Sequence, residues 1–160
     1  MSEYKSEVKH IWAPVDRVYG KLSDLTNMAA IQQNLDNPMV RQQIMQQSEG
    51  KLTEEKLDEI VEKIRSLEFT PDSVSGDAPA VGRVTLRIIE REENKTIKFA
   101  LEGVPIDANL WIQLLPAAGD QCAMRAVVKA DLNFFIKQMV GSKLQQGVEG
   151  LADMLSKLPY

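Results

Sequence analysis

The stretch that decides the fold is "QCAMRAVVKADLNFFIKQMVGSKLQQGVEGLADML", residues 121–155. Its first ten residues alternate, placing Met124, Ala126, Val128 and Ala130 on one face, as a half-buried strand requires. At Asn133, a residue whose side chain caps helices well, the period changes. Ile136, Val140, Leu144, Val148, Leu151 and Leu155 then recur at spacings of four and three, the apolar stripe of a long helix. A helix of about 24 residues would be roughly 36 Å long, enough to cross the whole concave face of a sheet. Gly141, Gly147 and Gly150 interrupt it, although an interior glycine costs about 0.5–1 kcal/mol relative to alanine. Either they let the helix approach a wall closely, or they hold side chains back where a ligand sits.

Upstream of this stretch the same period of two persists. "GRVTLRIIERE" sets Val84, Leu86 and Ile88 against Arg83, Thr85 and Arg87. "TIKFALEG" sets Ile97, Phe99 and Leu101 against Lys98, Ala100 and Glu102. "IDANLWIQLL" puts Ala108, Leu110, Ile112 and Leu114 on one face, and Asp107, Asn109, Trp111 and Gln113 on the other. "LEFT-PD-SVSGD" reads as a short hairpin. These are consecutive antiparallel strands, each with one buried face. The run Arg87, Glu90, Arg91, Glu92 and Glu93 reads as a solvated edge.

Before them, residues 26–67 are helical in pattern. Thr26 is a candidate cap for a short helix through Ile31 and Leu35. Asn37–Pro38 opens a second helix, and Thr53 caps "EEKLDEIVEKIRSL", whose stripe is Leu57, Ile60, Val61 and Ile64. At the start, "EYKSEVKHIW" alternates, with Tyr4, Ser6, Val8, His10 and Trp12 opposite Lys5, Glu7 and Lys9. Ile11 breaks the pattern, so a bulge there would decide which of His10, Ile11 and Trp12 points inward. Pro14 suits the first turn of the helix that follows, with Val15, Val18, Tyr19, Leu22 and Leu25 at helical spacing.

The order of strand, helices, about six strands and long helix indicates an α+β chain. Its architecture would be a curved antiparallel sheet of about seven strands wrapped around the C-terminal helix, with extra short helices between the first and second strands. One domain over residues 1–160, with an extended helical segment at 28–66, accommodates all of it.

Four quoted stretches, "IWAPVDRVYGKLSDLTN", "VGRVTLRIIEREENKTIKFALEG", "DANLWIQLLP" and "KADLNFFIKQMVGSKLQQGVEGLADML", resemble the START-like, or SRPBCC, superfamily. This is the helix-grip fold shared with the major birch pollen allergen and the polyketide cyclase-like proteins. The likeness is strongest to small bacterial members and covers residues 4–27 and 67–158. "SVSGDAPAVGRV" has no counterpart of the plant allergens' glycine-rich loop. The resemblance implies a fold and a cavity, and it carries over no catalytic residue.

Seven strands spaced about 4.8 Å apart make a sheet roughly 30 Å wide, which one helix about 10–12 Å across does not cover. The sheet must curl, and the space left is filled by side chains, by the 28–66 helices or by a ligand. The leading expectation is a cavity for a hydrophobic small molecule or lipid, without specific catalysis. Its candidate lining is Trp12, Tyr19, Phe99, Leu110, Ile112, Met124, Val128, Phe135, Met139 and Gly147. The superfamily resemblance also admits a polyketide cyclase or dehydratase-like enzyme, for which His10, Tyr19 or Asn109 would have to converge inside. A third expectation is a protein-interaction module, or a homodimer, through the outer sheet face near Trp111.

A net charge of -4 argues against a general nucleic-acid binder. The single cysteine, Cys122, and single histidine, His10, offer no disulfide and no metal-ligand spacing, so no metal or cofactor is expected. "MSEYKSEVKHIW" lacks an apolar leader and no stretch reaches the roughly 20 apolar residues of a membrane span, so the chain reads as cytoplasmic.

Overall fold

The computed structural model describes the chain apart from residues 1, 35–36, 48–49, 51–52, 79–81 and 157–159, and the side chains of 30, 31, 33, 34, 47, 78 and 135. The elements run β1 (Ser2–Lys5), β2 (Lys9–Ile11), α1 (Val15–Leu22), α2 (Asn27–Asn34), α3 (Pro38–Gln47), α4 (Glu54–Arg65), β3 (Glu68–Thr70), β4 (Ser73–Ala78), β5 (Gly82–Glu92), β6 (Thr96–Glu102), β7 (Ala108–Ala117), β8 (Gln121–Ala130) and α5 (Phe134–Ser156). One curved antiparallel sheet has the order β1-β8-β7-β6-β5-β4-β3, with β2 also pairing β8. The helix-grip expectation is met.

The first strand is broken rather than continuous. Lys5 is opposite Val127 but Lys9 is opposite Met124, so one extra residue sits between β1 and β2. Ser6 fills the break: its amide donates to the Ala126 carbonyl and its hydroxyl accepts from the Ala126 amide, both at 2.9 Å. That insertion flips the alternation. Tyr4 and Ile11 therefore face the concave side, while His10 and Trp12 turn outward. The expectation that one strand face carries Tyr4, His10 and Trp12 together is corrected.

A second bulge has a similar effect. Ile88 pairs with Phe99, yet Glu90 pairs with Lys98, leaving Ile89 unpaired. Arg91 falls in register with inward Ile97. Its guanidinium reaches the Ser23 carbonyl at 2.9 Å and the Asp72 carboxylate at 2.5 Å. Arg91 thus ties the α1–α2 turn to the β3–β4 hairpin instead of joining a solvated edge.

The helix caps mostly follow the sequence. Asn133 accepts from the Ile136 amide at 2.8 Å, Asn37 from Met39 at 2.9 Å, and Thr53 from Lys56 at 3.2 Å. Thr26 differs, because its hydroxyl donates to Asp24, which supplies the acceptor at that turn.

The main core joins the sheet's concave face to α1 and the C-terminal half of α5, through Ile11, Val18, Leu22, Ile97, Ile112, Met124, Val148, Ala152 and Leu155. Helices α3 and α4 form a separate small cluster of Leu57 and Val61 with Ile44, Met45 and Ile64. Those side chains do not plug the sheet. Of the apolar residues on α2 and α3 that could fill the space (Met28, Ile31, Met39, Ile44 and Met45), Met28 alone among the described side chains packs on the main core, and Met39 is exposed. Ile31 and Leu35 lie outside the described side chains.

Candidate functional site

Residues that pair across strands define layers along the concave face. Ala126, Ile112 and Ile97 make one layer, and beside it lie Met124 with Leu114, then Ile11 with Cys122. These are sealed: Ala126, Ile97 and Cys122 are 0% exposed. In the opposite direction come Tyr4, Val128, Leu110, Phe99 and Ile88, then Ala108, Leu101, Leu86 and Val74. Tyr4 and Val128 are half-buried, and so are Ala108, Leu101, Leu86 and Val74, while Ala130, paired with Ala108, is buried. The grip is closed at one end and open at the other.

The placement of α5 explains the gradient. It approaches β8, β1 and β2 most closely, and its Val148, Ala152 and Leu155 share the core with Ile88, Ile97 and Phe99 of β5 and β6. The Lys9 ammonium holds Glu149 at 3.0 Å, Glu149 also accepts from the Glu7 amide, and Gln145 donates to the Lys5 carbonyl at 2.8 Å. The hydrogen bond from Lys9 is the main cause of its partner-raised pKa, while the Glu7 amide leads in lowering that of Glu149. Val148, Ala152 and Leu155 then sink into the core. Ile136, Val140 and Leu144, in the N-terminal half, are only half-buried.

The three helix glycines divide in the same way. A side-chain carbon at Gly141 would stand 3.1 Å from the Tyr4 hydroxyl, so this glycine permits close approach to β1. At Gly147 and Gly150 it would meet nothing within 4 Å. Gly147 therefore faces solvent and does not hold open a pocket. The Tyr4 hydroxyl is buried with no hydrogen-bond partner among the described residues.

Of the ten lining candidates, Phe99, Leu110 and Val128 stand at the boundary between the closed and open halves. Ile112 and Met124 are in the sealed layers, and Tyr19 is half-buried against the core beside α1. Trp12 is 80% exposed because of the β1–β2 break, and Met139 is 62% exposed on the outer side of α5; neither reaches the concave face. Phe135 lies in the first turn of α5, with its side chain outside the described set. Leu86, Leu101 and Ala108 are not among the ten candidates; their inward parity is legible in the alternation, but their partial exposure depends on where α5 lies.

The polar groups considered for catalysis are dispersed. His10 faces outward, 2.5 Å from the Gln121 side-chain oxygen and edge-on to Trp12 at 4.7 Å. Asn109 is on the outer face and donates to the Phe99 carbonyl at 3.1 Å. Cys122 lies in the sealed end, where burial pushes its thiol pKa up. Beside it, burial and the Cys122 charge raise the pKa of Tyr160. No group of three metal-ligating side chains occurs among the described residues. No described helix is long and apolar enough to cross a membrane.

No protein-family model matches the chain, and no curated protein matches it. Solved structures do. Norcoclaurine synthase from Thalictrum flavum aligns with TM-score 0.64 and 12% identity over 98% of this chain and 84% of its own. A protein of Thermobifida fusca aligns with TM-score 0.58 and 13% identity, covering 98% and 91%. DynU16, from the dynemicin biosynthetic locus, aligns with TM-score 0.58 and 12% identity over 98% of this chain, which spans 46% of DynU16. At such identities the likeness is one of fold, the helix-grip fold.

Proposed function

We propose that the chain binds a hydrophobic small molecule or lipid against the open half of the concave face. The observation that carries this reading is the burial gradient, from sealed Ile97 and Ile112 to half-exposed Leu86, Leu101 and Ala108. Apolar surface left in contact with water on a concave, preformed wall favours an apolar guest. The fold supports it too, since norcoclaurine synthase has been solved with dopamine and hydroxybenzaldehyde, two small aromatic molecules.

The uncharged fluorescent probe N-phenyl-1-naphthylamine tests the reading directly. Saturable one-to-one binding is expected, weakened about tenfold or more by Ala108→Phe, which fills the open layer. A variant that removes two charges from the outer face, Lys98→Gln/Lys129→Gln, should bind as wild type. Absence of saturable binding, or binding indifferent to Ala108→Phe in a folded variant, would refute it.

A further inference from the structure

We infer that the outer sheet face around Trp111 is a docking strip for an acidic segment of a partner polypeptide. Pairing across the strands sets a straight row on this face: Lys5, Val127, Trp111 and Lys98 on β1, β8, β7 and β6. The Lys98 and Lys129 ammonium groups stand over the Trp111 ring, at 5.2 and 5.5 Å from its centre. The Arg125 guanidinium donates to the Gln113 side-chain oxygen at 2.7 Å. One carboxylate, Glu3, serves both Lys5 at 3.0 Å and Lys129 at 3.3 Å. Four cations thus gather around Trp111 beside Glu3, with Glu90 opposite Lys98 and Glu92 further along β5, on a chain whose net charge is -4.

The surface is recessed. Trp111, Val127, Arg125 and Lys129 help to line a hollow of about 220 Å³, with Val127 only 3% exposed. The ring and the lysine stems supply an apolar floor, and the cationic heads supply a rim. Further along β7, Leu115 is 67% exposed and lies in the row of Ala123 and His10, next to Trp12. From Asn109 to Leu115 the strip is roughly 20 Å long, the reach of about six extended residues. Glu90 and Glu92 on β5 border it, so an acidic guest lies along β7 and β8 and not across them.

Charge and shape select this occupant. A second copy docked by a two-fold axis through the middle of the strip would set its cationic end on the apolar end of its partner. The cations would lose water without gaining an opposite charge. A bilayer needs apolar side chains that protrude together, whereas Trp111 lies at the floor of the hollow and only Leu115 and Trp12, at one end of the strip, stand out. A chain segment carrying carboxylates and an occasional large apolar side chain satisfies both rim and floor.

Fluorescence anisotropy with a labelled peptide, Glu-Asp-Glu-Leu-Glu-Asp-Phe-Glu, tests the inference. Binding that weakens with added salt is expected. Lys98→Glu/Lys129→Glu should weaken it about tenfold or more, and Lys98→Gln/Lys129→Gln less. Trp111→Ala should weaken it at every salt concentration. Thermal melting of each variant reports folding, and the glutamine pair keeps the test valid if charge reversal unfolds the chain. No peptide binding, or binding equal in wild type and the glutamine pair, overturns the inference. So does binding to phosphatidylcholine–phosphatidylserine vesicles without peptide binding, or a wild-type dimer by light scattering that Trp111→Ala dissociates.

Discussion

Replacing the glycines of α5 by alanine separates two kinds of helix position. At Gly147 and Gly150 an added side-chain carbon meets nothing within 4 Å, so the change should return the helix propensity that glycine gives up. That is about 0.5–1 kcal/mol each, or about 1–2 kcal/mol for Gly147→Ala/Gly150→Ala together. For a chain of this size the pair should raise Tm by roughly 2–8 °C. At Gly141 the added carbon would stand 3.1 Å from the Tyr4 hydroxyl and 3.9 Å from its ring carbon, tighter than ordinary contact. The propensity gain is then offset by displacing Tyr4 from its place opposite Val128, and Gly141→Ala should give no increase. Adding Tyr4→Phe removes both the clashing oxygen and a buried hydroxyl without a partner, whose burial costs about 1–3 kcal/mol. The double variant Gly141→Ala/Tyr4→Phe should therefore melt above wild type. Circular dichroism at the helix band, followed through heat and urea, measures wild type, these variants and the single Gly147→Ala and Gly150→Ala changes. A Gly141→Ala gain as large as that of Gly147→Ala would refute the close approach of α5 to β1. A loss of stability at Gly147 or Gly150 would refute their solvent-facing placement.

Two further outcomes concern titration and access. The folded-state pKa of Glu149 lies below its usual value, so the stability it contributes is present above the ordinary glutamate range and is lost as pH falls through the lowered value. Lys9 is raised, so its share is present below the ordinary lysine range and is lost as pH climbs through the raised value. Glu149→Gln should flatten the acid limb of a stability–pH profile measured by urea melts; an unchanged limb would count against the clasp. Cys122 is 0% exposed with its thiol pKa raised by burial, so the native protein should react with a thiol-specific disulfide reagent far more slowly than the urea-unfolded chain. Equal rates would contradict the sealed end of the grip.

Strand parity was legible wherever the chain alternates without interruption. Leu110, Ile112 and Leu114 face inward, and Trp111 and Gln113 outward, as the pattern of residues 106–115 requires. The same reading failed at Trp12, downstream of an inserted residue. A bulge is a property of pairing between two strands, and neither strand's own sequence contains it. At residues 3–12 the irregularity was visible at Ile11, but the insertion lies nearer Ser6, where the hydroxyl and amide both engage Ala126.

The apolar stripe of the last helix, its Asn133 cap and the run of antiparallel strands are local consequences of period and capping, and the sequence by itself determined them. It determined the fold class for the same reason, because a half-buried strand and an amphipathic helix each write their buried face into their own residues. What only the tertiary structure decided is where α5 lies on the sheet. A stripe says which side of a helix is covered, not which strands cover it. The docking of α5 against β1, β2 and β8, fixed by Tyr4 beneath Gly141 and by Lys9 beside Glu149, seals one end of the concave face and leaves Leu86, Leu101 and Ala108 partly open. The candidate site is a remainder between elements, and no single element encodes it.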